Sequence, residues 1–176
     1  MNTLKKRTRL AAVAVLCVVA LGGAALGLAR SRVARTASAG RPEVKVMLSG
    51  SVERGGERLA VEKLESVKPG EIIDWQITSA NEGTAGARGY TAVGQIPDGT
   101  SFIAGSAAAE RGSTVTYSID GGQTFSTQPV VEQRQPDGTV KKVPAPVSMY
   151  TQVRYEWPDE LAAGGRFAAA YKVRVK

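Results

Sequence analysis

Val67-Lys68-Pro69-Gly70-Glu71-Ile72-Ile73-Asp74-Trp75-Gln76-Ile77-Thr78-Ser79-Ala80-Asn81-Glu82-Gly83 carries a turn, a strand and a second turn in succession. Proline presets φ and glycine accepts positive φ, so Lys68-Pro69-Gly70 turns the chain. From there Ile73, Trp75 and Ile77 alternate with Asp74, Gln76 and Thr78, the two-residue period of a strand with one face in a core. Asn81-Glu82-Gly83 closes it with residues that tolerate a left-handed turn.

The same grammar repeats on both sides. Upstream, Val44, Val46 and Leu48 alternate with Glu43, Lys45 and Met47, which predicts a first strand, read as an edge strand with its hairpin. Arg54-Gly55-Gly56-Glu57 is a turn, and Leu59 and Val61 begin the next strand. Downstream, a Gly-rich passage offers Tyr90 and Val93 as core candidates, Ile96-Pro97-Asp98-Gly99-Thr100 turns, and Ser101–Ala104 carries Phe102 and Ile103. Ala107–Gly112 reads as a loop. Val115, Tyr117 and Ile119 share a face opposite Thr114, Thr116 and Ser118, and Asp120-Gly121-Gly122 lets Thr124–Val131 return beside them. Pro136-Asp137-Gly138 precedes Thr139–Val143, and Pro144 and Pro146 keep the next connection out of a sheet interior. Val153, Tyr155 and Trp157, then Phe167, Ala169, Tyr171, Val173 and Val175, mark the inward faces of two closing strands; Lys172 and Arg174 point out. No apolar 3.6-residue period persists after residue 40, so the expected fold is all-β: an immunoglobulin-like antiparallel β-sandwich over 40–176, preceded by an apolar leader helix.

That leader occupies 1–39. Met1–Arg9 is basic, Leu10–Leu21 is apolar, and small residues suited to cleavage stand at Gly27-Leu28-Ala29 and Ala37-Ser38-Ala39. Uncharged Leu10–Ala29 would also reach across a bilayer's hydrocarbon core of ~30 Å, so a cleaved signal peptide and a retained inner-membrane anchor both remain open. Arg30, Arg32 and Arg35 beyond it weaken the positive-inside contrast. Either way the body is expected to be exported: periplasmic, cell-surface or secreted. Cys17, the single cysteine, follows Leu16 where a lipoprotein would have a small residue.

Charge and composition then exclude function classes. The net charge of +7 belongs to the leader, whose seven basic residues face no acid; the remaining 16 Lys+Arg match 16 Asp+Glu. A neutral body lacks the electrostatic footprint of nucleic-acid binding. With no histidine, His-based triads and His-ligated metals are excluded, and no disulfide can staple the body.

Val67-Lys68-Pro69-Gly70-Glu71, the strand ending Asn81-Glu82-Gly83-Thr84, and Ile96-Pro97-Asp98-Gly99-Thr100-Ser101-Phe102 together resemble the "domain of unknown function 11" repeats of bacterial surface proteins. The resemblance runs from about Val61 to Val175, as one copy. It departs at Ile96, where Leu is usual, and at Ala163-Gly164, where Pro-Gly is common. It implies an immunoglobulin-like sandwich in the envelope or outside the cell, with no catalytic residues to transfer.

Candidate chemistry is sparse. Ser118-Ile119-Asp120-Gly121-Gly122-Gln123-Thr124-Phe125 fits the Asp-box pattern, in which the aspartate gathers turn N–H groups above a packed aromatic ring. One copy cannot build a propeller, so a hairpin clasp is expected. Asp98, Asp120, Asp137 and Asp159-Glu160 are turn acids that would bind calcium only by converging on one point. Paired carboxylates for glycoside hydrolysis have no cleft-forming insertion to hold them, and Ser-x-x-Lys is absent. Trp75, Trp157, Tyr117, Tyr155 and Tyr171 have inward parity and read as core. The expectation is a non-catalytic envelope module, structural, adhesive or assembling, with neither cofactor nor metal. Its partner would be an envelope protein or another copy, joined through strand edges such as Glu43–Ser49. Binding of carbohydrate or another envelope polymer is the alternative.

Overall fold

The structure, a computed structural model, describes residues 40–110 and 112–176. The leader and its cleavage or anchoring lie outside the described residues. Eleven strands follow in order: β1 (Val44–Arg54), β2 (Glu57–Ala60), β3 (Ile72–Asn81), β4 (Thr91–Gln95), β5 (Thr100–Phe102), β6 (Ala108–Ala109), β7 (Thr114–Ser118), β8 (Val130–Arg134), β9 (Val140–Pro144), β10 (Gln152–Glu156) and β11 (Arg166–Val175). The described helical turns are the three-residue 3-10 segments Val61–Lys63 and Val147–Met149. No helix among the described residues is long and apolar enough to cross a membrane.

The described residues are all-β, and every pairing among them is antiparallel. A large sheet runs β2-β1-β3-β11-β5, with β6 also on β11; a small one runs β4-β10-β7; β8 and β9 pair only with each other. Both central glycines of the Gly55-Gly56 turn have positive φ (61° and 83°), the two-residue hairpin geometry whose twist matches its strands.

Side chains from both larger sheets meet in one core. Val52, Ile73, Ile77, Phe102, Phe167, Ala169, Tyr171 and Val173 come from the large sheet, and Ala92, Val153 and Tyr155 from the small one. Trp157 and Phe167 stack at 4.9 Å and 9°. Such pairs add about 1 kcal/mol beyond area burial. Two hydroxyls stitch across the core: Tyr155 Oη donates to the Ala170 carbonyl (2.7 Å) and Tyr171 Oη to the Gln95 carbonyl (2.5 Å).

The inward parities of β3, β10 and β11 stand as expected, with Trp75 and Tyr117 half-buried against the core. Other expectations change. In β4 the inward residues are Ala92 and Gly94, not Val93, because the Tyr171 ring occupies the space a side chain at Gly94 would need. Thr116 and Ser118 are buried, since the loop after β7 covers the outer face of the small sheet. The supposed loop at Ala107–Gly112 contains β6 on β11. Thr124–Val131 meets β7 only at the Tyr117–Ser126 bridge and then departs as an arm. β1 is not an edge throughout: β2 pairs with Ser51–Arg54, leaving Val44–Gly50 on the sheet margin.

Asn81 closes β3 as a buried hub rather than as a left-handed turn. Its Oδ1 accepts from the Glu43 and Gly83 N–H groups, and its Nδ2 donates to the Ala85 and Leu161 carbonyls. Four bonds satisfy every side-chain valence. Gly83 serves close approach, because a Cβ there would meet the backbone of Arg41, Pro42 and Glu43.

Candidate functional site

The most organised polar constellation is the Asp-box loop. β7 delivers Ser118, 1 % exposed, to the start of the turn. Its Oγ donates to Asp120 Oδ1 (2.6 Å) and accepts from the Gly122 N–H (2.8 Å) and Asp120 N–H (3.2 Å). Asp120 also accepts from the Thr124 N–H (2.9 Å) and the Thr124 hydroxyl (2.5 Å). These donors, the Ser118 hydroxyl foremost, hold the Asp120 carboxyl well below the ordinary carboxylate range. Phe125 then packs under the Arg154 guanidinium, 4.2 Å from the ring centroid, and Arg154 pairs with Glu156 at 2.6 Å. The arrangement clasps a hairpin. A carboxylate held so firmly ionised and saturated with donors is a poor proton shuttle near neutral pH.

Two other turn acids are spent locally too. Asp137 accepts from the Thr139 N–H and hydroxyl, which lower its pKa, and Glu160 takes the Arg88 Nε at 2.7 Å. Asp98 lies exposed in the turn closed by the Thr100 N–H on the Pro97 carbonyl. Among the described residues no three acids converge in a geometry that could hold a metal ion.

A shallow groove of about 370 Å³ crosses the outer face of the large sheet, lined among others by Glu53, Arg58, Glu71, Asp74 and Lys172. Apart from Glu53, its charges answer one another. Asp74 lies 3.2 Å from Lys172 and 3.6 Å from Arg58, while Arg54 grips Glu71 with two bonds of 2.7 and 2.8 Å. The Arg54 guanidinium, helped by the Lys68 N–H, brings the Glu71 carboxyl down to about 2. This pair pins the turn at Val67–Gly70 to the end of β1. Burial pushes the Tyr155 and Tyr171 hydroxyls above the ordinary phenol range, so both stay neutral donors.

Besides three buried side-chain atoms, Trp75 Nε1, Thr116 Oγ1 and Arg154 Nε, what remains unsatisfied is backbone at strand margins. Among the described residues the outer edge of β4 meets no strand, and along β1 neither does that of Val44–Gly50. Glu43–Ser49 itself is engaged, since β1 pairs with β3 from Val44 to Val52 and the Glu82 N–H reaches the Glu43 carbonyl. The β4 edge escaped the sequence reading, which found the arm's turn at Pro136-Asp137-Gly138 and its second strand but not its separation from the sheets; Thr91-Ala92-Val93-Gly94-Gln95, free of charge and proline, was the available signal for the edge. No family model, no curated protein and no solved structure matches this chain.

Proposed function

We propose that this protein is a non-catalytic, exported envelope module, an immunoglobulin-like sandwich of the kind that the domain-of-unknown-function-11 resemblance implies, with a structural or assembly role. The observation that carries it is where polar capacity is spent. The clasp aspartate, the Asp74 and Glu71 ion pairs and the Asp137 turn are satisfied within the chain, whereas along the β4 edge the backbone of Thr91 and Val93 meets no strand among the described residues. Unpaired edges are what a sheet offers to another chain. The basic, apolar leader at 1–39 supports export. Binding of an envelope polymer gains no observation of its own, since among the described residues no aromatic side chain is exposed as a sugar platform.

Cell fractionation combined with amine-reactive crosslinking in intact cells tests this. The expected result is an envelope-associated species heavier than one chain. A soluble cytosolic monomer would sink the proposal.

A further inference from the structure

Backbone hydrogen bonds establish which residues of β4 and of the arm face outward. The Ile96 N–H donates to the Thr151 carbonyl (2.9 Å) and the Trp157 N–H to the Tyr90 carbonyl (3.2 Å), so even-numbered residues of β4 turn toward β10. Thr91, Val93 and Gln95 therefore present their backbone outward, the Gln95 carbonyl already accepting from the Tyr171 hydroxyl. In the arm, the Gln135 N–H donates to the Thr139 carbonyl and the Ala145 N–H to the Pro129 carbonyl, both at 2.8 Å. Val130, Glu132 and Arg134 of β8 therefore present theirs outward. Each edge offers three residues at the same two-residue spacing. The outer edge of β9 carries Pro144, which lacks an N–H, and Lys142.

Other margins are guarded. Pro42 and Lys45 flank the free part of β1, Glu57 and Arg58 stand on β2, β5 and β6 are short, and Ser126 bonds the outer edge of β7 in both directions. Thr91-Ala92-Val93-Gly94-Gln95 has no such device. The arm, for its part, is a lone two-stranded hairpin, an element that is marginal in water without a further strand or layer.

We propose that copies of this chain join head to tail, the β8–β9 arm of one copy adding antiparallel to the β4 edge of the next. Charge decides the direction. Antiparallel pairing sets Arg134 of the arm beside Thr91 and Glu132 beside Val93. The next strand inward places Glu156 beside Thr91 and Arg154 beside Val93. Both rows then join opposite charges across one intervening strand. Parallel pairing would put Arg134 in the row of Gln95 and Gln152 instead. On the core side, Val131 and Gln133 enter beside Gly94 and Ala92 without burying a charge. β4 and β7 are opposite margins of the small sheet, and the arm leaves from the β7 side, so donor and acceptor lie at opposite ends of one copy and association continues as an open row.

This rests on the assembly reading above and gives it a geometry. The test uses the full chain in mild detergent, with Cys17→Ser removing the native thiol and either Val93→Cys or Glu132→Cys added. A hydrogen-bonded antiparallel pair has its Cα atoms about 5.5 Å apart, within disulfide reach. Oxidation of a mixture of the two variants should yield at least about tenfold more crosslinked dimer than either variant alone. Arg134→Glu should weaken association about tenfold at low salt, and adding Glu156→Arg should restore it. A dimer dominated by Val93→Cys alone would mean β4 pairing with itself and overturn the proposal. Assembly by light scattering without the mixed crosslink would overturn it while leaving the assembly role standing. A monomer at all concentrations overturns it as well, and the crosslinking in cells then judges the envelope reading separately.

Discussion

Strands β10 and β8 have nearly the same composition: Gln-Val-Arg-Tyr-Glu at 152–156 and Val-Val-Glu-Gln-Arg at 130–134. Their fates differ. In β10, Val153 and Tyr155 are 0 % exposed, with a neighbour on either side and a facing sheet below. In the arm, Val130 is 49 % exposed and Val140 is 55 % exposed. Composition makes a strand in both places. Whether that strand becomes core depends on the layer opposite, which no local window of sequence contains.

The contrast breaks most readily from the buried side. Tyr155→Ala empties core volume and removes the hydroxyl on Ala170; chemical denaturation should show a loss of about 4 kcal/mol. Asn81→Ala abandons two buried carbonyls and two N–H groups and should cost about 3 kcal/mol in the same measurement. Ser118→Ala strips the clasp of its central hydroxyl, for a loss of about 1.5 kcal/mol read from the thermal midpoint. Glu71→Gln sharpens the comparison through pH. The Glu71 pKa falls from 4.5 unfolded to about 2 folded, so its stabilisation is complete above the unfolded value and disappears as pH falls toward 2. The gap between the thermal midpoints of wild type and variant should therefore be widest near neutrality and close in acid. Val140→Ser, on the arm, should stay within about 0.5 kcal/mol of wild type by denaturation.

Alternation exposed the inward faces of β3, β10 and β11 because large apolar residues stand at every second position there. It failed in β4 for a physical reason: the inward residues Ala92 and Gly94 must be small to admit the Tyr171 ring, and small residues send no hydrophobic signal. The burial of Thr116 and Ser118 was equally hidden, because a polar loop rather than an apolar sheet covers them. Asn81 looked like a turn former, and only the long-range approach of Glu43 and Leu161 turns it into a hub. The Asp-box clasp was legible because its partners fall within a few residues of one another. The turn and second strand of the arm were legible as well, but the open β4 edge and the arm's separation from the sheets were not, since an unpaired backbone is defined by what fails to arrive beside it.

β10 is the middle strand of its sheet, and β11 separates β3 from β5. A chain synthesised only as far as residue 150 thus holds the flanks of both layers without the strips that unite them. Until residues 152–175 emerge, β1–β3 and β8–β9 can pair, but the two larger sheets cannot close on one core. Closure of the shared core therefore waits on the last strands of the chain.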